Sequence, residues 1–214
     1  MTPGHRALLL PLALASLALG CKTKVPALTE PFTDGFDRGE VGANWLDTGG
    51  GIYQTTGGAL KIQGAHNHPL WLRRKLPANV VVELDATSRS PSGDLKVELM
   101  GDGESFDPDQ GRYDNTGYMF VFGGWHNSLS IISKLGEHDD AVKARRPDPK
   151  VEPGRTYHWK IVKRGGYIDW QVDGRPFLQY FDPQPLSGPG HEFFAINNWE
   201  TDVSYDNISI RPAD

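Results

Sequence analysis

Two short stretches of this chain carry the residue types that recognise sugars. Residues 123–127 read GGWHN and residues 197–202 read NNWETD. An indole face covers the apolar C–H side of a pyranose ring, while amides and carboxylates bond its hydroxyls. The candidate carbohydrate-binding residues are therefore Trp125, His126, Asn127, Asn197, Asn198, Trp199 and Glu200. Each stretch follows an apolar run, residues 118–122 and 192–196, which would put both at one end of a sandwich. The plainer alternative is that the two tryptophans only plug the ends of the core.

If the same place did chemistry, its acid and base would come from His126, Glu137, His138 or Glu200. Nothing in their spacing makes them converge, so the residues point to binding first and to catalysis second. Glu83 and Asp85 share one strand face and resemble the E-x-D-x-x-E strand of laminarinase-type glycoside hydrolases. Ser88 stands where that strand would carry its acid, so the pair is incomplete. Asp102, Glu104, Asp107, Asp109 and Asp114 crowd one loop and offer oxygen ligands for Ca²⁺, without EF-hand spacing. A solvated acidic loop is the simpler reading, and no cofactor or metal is expected. His66 and His68 would point to opposite faces of an extended segment. The chain has no phosphate loop, no Ser/His/Asp order and no dinucleotide fingerprint.

The elements that must position these groups centre on residues 156–181. Trp159 and Ile161 alternate with His158, Lys160 and Val162, the period of two of a half-buried strand. Gly165-Gly166 turns the chain, and Ile168, Trp170 and Val172 alternate in the return strand. Asp173-Gly174 is a hairpin signal, because glycine supplies the positive φ that such a turn needs. Residues 176–181 add a third strand. Three strands with one apolar face need a second sheet to cover them.

Further strands are expected at residues 51–54, 59–63, 70–73, 79–87, 95–100, 129–135, 192–196 and 203–210. Residues 118–122 (YMFVF) are apolar at every position and should be covered on both faces. In the last strand Val203 and Tyr205 differ in parity from Ile208 and Ile210, so a bulge is expected near Asp206-Asn207. Residues 136–153 read as a long charged connection. The expected fold is all-β, a two-sheet antiparallel jelly-roll sandwich of about a dozen short strands. In composition, 25 glycines and 16 prolines among 214 residues suit many strands and turns. A net charge of −5 argues against nucleic acid or an anionic membrane surface as the main partner.

At the N-terminus, Arg6 precedes a short apolar stretch, residues 7–19, that is too short to span a bilayer. Gly20 and Cys21, the one cysteine, follow. This resembles a bacterial lipoprotein lipobox, with Ala18 where leucine is usual. The resemblance implies cleavage before Cys21 and lipid on its sulfur. Lys22 resembles a sorting residue for the outer membrane. The expected organisation is a signal peptide over residues 1–20, a lipidated cysteine and tether over 21–31, and one domain over 32–214.

The segments GGALKIQG…LWLRRKLPANVVVELDAT, VEPGRTYHWKIVKRGGYIDWQVDGRPFLQY and PLSGPGHEFFAINNWETDVSYDNISI follow one another in order. In that order they resemble the concanavalin A-like jelly-roll superfamily of lectins and glucanases. Within it, the similar branches are exported bacterial domains of the 3-keto-disaccharide hydrolase and laminin-G types. The expectation is a cell-envelope, outer-membrane lipoprotein that binds a polysaccharide or glycoconjugate and touches the membrane only through its lipid. A glycan-cleaving hydrolase or lyase using the same cleft is the alternative, and a structural envelope protein the second.

Overall fold

The computed structural model describes residues 25–49, 52–105 and 115–214. The expected signal peptide, Cys21 and the acidic residues Asp107, Asp109 and Asp114 lie outside the described residues. Fifteen strands occur among the described residues, rather than about a dozen. They are β1 (Phe32–Asp34), β2 (Trp45–Asp47), β3 (Tyr53–Thr55), β4 (Leu60–Gln63), β5 (Leu70–Leu72), β6 (Val80–Ser88) and β7 (Leu95–Gly101). There follow β8 (Tyr118–Gly123), β9 (Leu129–Lys134), β10 (Val142–Arg146), β11 (Thr156–Arg164), β12 (Tyr167–Val172), β13 (Arg175–Phe181), β14 (Phe193–Asn197) and β15 (Asp202–Pro212).

The strands form two antiparallel sheets. The eight-stranded sheet runs β13-β12-β11-β6-β15-β4-β3, with β1 also paired to β15. The seven-stranded sheet runs β10-β9-β8-β7-β14-β5-β2. The β11-β12-β13 meander lies at one edge of the larger sheet, with its apolar alternation turned inward as expected. Val80, Val82, Leu84 and Ala86 of β6 share that core with Val97 and Leu99 of β7. The two sheets meet through aromatic rings. Phe122 of β8 packs on Tyr157 at 4.9 Å and on Phe177 at 4.8 Å, and Phe120 stands edge-on to Trp170 at 5.6 Å.

β8 is buried at every position, as its unbroken apolar run requires. Met119 and Val121 lie on its other face, packed with Ile131 of β9. The register of β15 breaks between Asp206 and Ser209, with Asn207 at positive φ. That bulge brings Ile208 and Ile210 into the core beside Val203 and Tyr205.

Three segments differ from the sequence reading. Residues 136–153 contain the strand β10, a sheet edge where Ala144 packs on the core between the sheets and Val142, across a bulge, packs on the outer cluster of Met119, Val121 and Ile131. Its Lys143, Arg145 and Arg146 hid the period and are the charges that keep an edge from pairing with another chain. β1 and β2 span three residues each, too short to show a period. The expected tether does not hang free throughout. Leu28 is buried and its N–H donates to Lys75 O at 2.8 Å, while Lys75 N–H donates to Pro26 O at 2.9 Å.

Candidate functional site

The two sugar-type stretches flank the start of β7. Leu95 pairs with Phe122 of β8, and Lys96 pairs with Asn197 of β14. Asp94, the residue just before the strand, stitches the flanking loops together. Its N–H donates to Gly123 O at 2.9 Å, and its Oδ2 accepts from Trp199 N–H at 2.5 Å. Residues 123–127 and 197–202 therefore lie at one end of the sandwich.

The GGWHN stretch is a left-handed turn. Gly123, Trp125, His126 and Asn127 have φ of 71°, 50°, 57° and 61°. Such a conformation costs a non-glycine residue roughly 1–2 kcal/mol, so something must hold it. Asn127 does: its Oδ1 accepts from Val151 N–H at 2.9 Å, and its Nδ2 donates to Val151 O at 2.8 Å and Pro91 O at 3.1 Å. The clamp leaves Trp125 40% exposed, with His138 edge-on to its ring at 5.6 Å. Trp199 is 42% exposed, with His66 edge-on at 5.0 Å. Neither indole is a core plug.

The amides behave differently from a sugar-binding set. Asn127 is committed to the turn. Asn198 is fully buried, with Oδ1 accepting from Ala65 N–H at 2.9 Å and Nδ2 donating to Thr201 O at 2.5 Å. Asn197 is also buried, and its Oδ1 accepts from Asn198 N–H at 2.8 Å while its Nδ2 has no partner among the described residues. His126 and Glu200 are exposed. Of the acid/base candidates, Glu137 faces Lys96, His138 stacks on Trp125, and His126 and Glu200 stand at the surface.

Lys96, Asp94 and Asn67 escaped the sequence reading and form the centre of this end. Lys96 is 3% exposed, and its Nζ lies 2.9 Å from Glu137 Oε1 and donates to Asn67 Oδ1 at 2.9 Å. Burial alone would lower the Lys96 ammonium, but Glu137 and Asp94 outweigh it and hold the group above the ordinary lysine range. Burial pushes the Asp94 carboxyl up, offset in part by Lys96 and the Trp199 N–H and reinforced by Glu137 and Glu200.

A second polar row crosses the outward face of the same sheet. Strand pairing aligns Trp71, Ala195, Glu98, Met119 and Ser133 from β5 to β9. Glu98 is fully buried, and burial raises its carboxyl to about 8 although Thr116 N–H and Oγ1 donate to its Oε1 at 3.0 and 3.2 Å. Among the described residues, Glu98 Oε2, Trp71 Nε1 and Ser133 Oγ have no hydrogen-bond partner. Lys96 and Glu98 alternate with Leu95, Val97 and Leu99, yet all seven residues of β7 are buried.

Glu83 and Asp85 sit on the outer face of the other sheet, with His158 Nδ1 at 2.9 Å from Asp85. Asp102 Oδ1 caps its own turn, accepting from Glu104 N–H at 3.0 Å and Ser105 N–H at 2.8 Å. Among the described residues, no group of three or more His, Cys, Asp or Glu side chains could hold a metal ion.

Solved structures show where this architecture recurs. A Bacillus subtilis protein of unknown function with a galectin-like fold superposes with a TM-score of 0.64 at 16% identity, covering 88% of this chain and 97% of its own. The VIP36 exoplasmic/lumenal domain, in a Ca²⁺/Man3GlcNAc-bound form, gives 0.61 at 8% identity, covering 80% and 84%. A prokaryotic β-1,3-1,4-glucanase (lichenase) from a mouse hindgut metagenome gives 0.60 at 13%, covering 86% and 99%. No family profile and no curated protein matches the sequence. The chain has the concanavalin A-like, galectin-like sandwich, a fold shared with lectins and glucanases.

Proposed function

We propose that this chain binds carbohydrate at the end of the sandwich where Trp125 and Trp199 stand. The observation that carries the reading is the pair of half-exposed indoles, each backed edge-on by a histidine, on loops joined through Asp94. A ring held open to solvent by a strained and clamped turn is an expensive way to fill a core and a sound way to present a stacking surface. His126 and Glu200 supply the polar rim, while the buried Lys96 and its partner Glu137 hold the loops beneath it. Asn127 and Asn198 position the loops and leave the sugar contacts to their neighbours. A glycan-cleaving activity is the second reading, favoured by Glu98, whose carboxyl near 8 keeps a proton at neutral pH and has one oxygen without a partner among the described residues.

The test is depletion of the full chain, held in detergent micelles, by a panel of insoluble polysaccharides. Wild type is expected to be depleted and a Trp125→Ala, Trp199→Ala double variant not. New reducing or unsaturated ends would move the case to an enzyme; loss of neither protein nor polymer across the panel removes the sugar reading. The lipobox resemblance at Cys21 supports a lipid anchor in the bacterial envelope. Mass spectrometry of the mature N-terminus checks that, and an unmodified thiol would refute it.

A further inference from the structure

The outer face of the eight-stranded sheet is remote in the fold from the tryptophan end, and it carries a groove of about 330 Å³. Strand pairing sets Asp169, Val162, Val81 and Arg211 in one row across β12, β11, β6 and β15. At roughly 4.8 Å per strand the row spans about 14 Å, room for more than one sugar ring. Arg164 and Tyr167 pair beside it on one side, and Lys160 and Gln171 pair on the other. The floor is thus two valines, and the walls are three cations, one carboxylate, an amide and a phenol.

The charge of this groove is opposite to that of the chain, whose net charge is −5. Lys160 and Arg211 share a single carboxylate, Glu83, at 3.5 and 3.9 Å, so positive charge is left over. Asp169 is not a partner to these cations. Its Oδ2 accepts from Gln171 Nε2 at 2.6 Å and its Oδ1 from Gln179 Nε2 at 2.7 Å, which fixes the carboxylate facing the groove. Tyr167, which lines the groove, is among the most exposed aromatic side chains described and packs on Phe181 at 4.7 Å.

We infer that this groove is a second binding site, for a sugar unit that carries a carboxylate, such as a hexuronate in an acidic polysaccharide. Arg211 and Lys160 would bond the carboxylate, with Arg164, whose Nε already donates to Asp214 O at 2.9 Å, beside them. The fixed Asp169 would accept from ring hydroxyls, and the valine floor and Tyr167 would cover the C–H face. A bare phosphate gains nothing from an apolar floor and is repelled by Asp169. The mixture of one oriented acid with an excess of cations selects a ligand that is both anionic and rich in hydroxyls.

The experiment titrates the full chain at low salt with tri-galacturonate, with maltotriose as its neutral counterpart, and with inorganic phosphate. Tri-galacturonate is expected to bind tightest and to shift the amide resonances of β11, β12 and β15. A Lys160→Gln, Arg211→Gln variant should weaken it about tenfold or more, the loss of charge-assisted hydrogen bonds. Asp169→Asn should weaken tri-galacturonate while leaving phosphate unchanged or tighter. The Trp125→Ala, Trp199→Ala variant should bind it as wild type does, which separates this site from the one at the sandwich end. Absence of shifts in those three strands overturns the inference. So does equal binding of phosphate, or a tri-galacturonate affinity lost with the tryptophans and kept without the cations.

Discussion

Lys96 Nζ sits 2.9 Å from Glu137 Oε1, and the same ammonium donates to Asn67 Oδ1. The pair with Glu137 meets as an ion pair without the alignment of a hydrogen bond. Glu137 precedes the histidine that backs Trp125, and Asn67 follows the histidine that backs Trp199. One buried side chain therefore fixes both aromatic loops.

Lys96→Met is expected to destabilise the fold by about 3–5 kcal/mol, because it strands the carboxylates of Glu137 and Asp94 in a dry place. Chemical denaturation measures that. Adding Glu137→Gln should recover part of the stability without recovering sugar affinity, since the loops stay untied. Full recovery of affinity in the double variant would show that Lys96 does not position the tryptophans.

Trp125→Ala and Trp199→Ala should each weaken polysaccharide binding about tenfold, the worth of a buried aromatic contact. Each should change stability by no more than about 1 kcal/mol, since both rings are about half exposed. Isothermal titration and thermal melts separate the two effects. A large loss of stability with unchanged binding would make the tryptophans structural.

Glu98 makes stability depend on pH. In the folded chain it holds its proton to about pH 8, against an ordinary value of 4.5. Between those limits the folded state binds more protons than the unfolded one, so stability falls as pH rises, and the cost is complete above 8. At about 1.4 kcal/mol per pH unit of separation, the cost is on the order of a few kcal/mol. Glu98→Gln should flatten the profile between pH 5 and pH 9, read from urea midpoints. An unchanged slope would mean that Glu98 ionises normally.

Trp170 lies in the aromatic seam, 4.6 Å from Trp159 and 4.7 Å from Phe177. Trp170→Ala should cost about 3–5 kcal/mol. Trp170→Phe should cost less, since the indole N–H it removes has no partner among the described residues. Equal costs for the two variants would mean that the seam does not depend on ring contacts.

The β11-β12-β13 meander, the doubly covered β8 and the bulge in β15 were legible because each is a local pattern of period, turn residue and parity. β10 was not, since its charges and a bulge mask two apolar residues that pack on opposite faces, and β1 and β2 were not among the expected strands. For the site, the indoles could be picked by type, but their meeting depends on Asp94, far from both in sequence. Lys96 and Glu98 were not singled out, because alternation reports which side a residue takes, not what covers that side. Asn127 and Asn198 show the reverse: amides of the right type, already claimed by backbone.

The placement of β1 has a mechanical consequence. Phe32 pairs with Ile210 near the far end of β15, whereas Trp199 adjoins Asp202 at its beginning. Eight residues of strand separate Asp202 from Ile210, roughly 27 Å at 3.3–3.4 Å per residue. The chain thus enters the domain at one pole and offers its indoles at the other. If the proposed anchor holds the chain ahead of residue 25, a ligand caught at that tip would pull lengthwise down the sandwich and load β1 and β15 in shear, their hydrogen bonds resisting together, like a mast with its grip at the top.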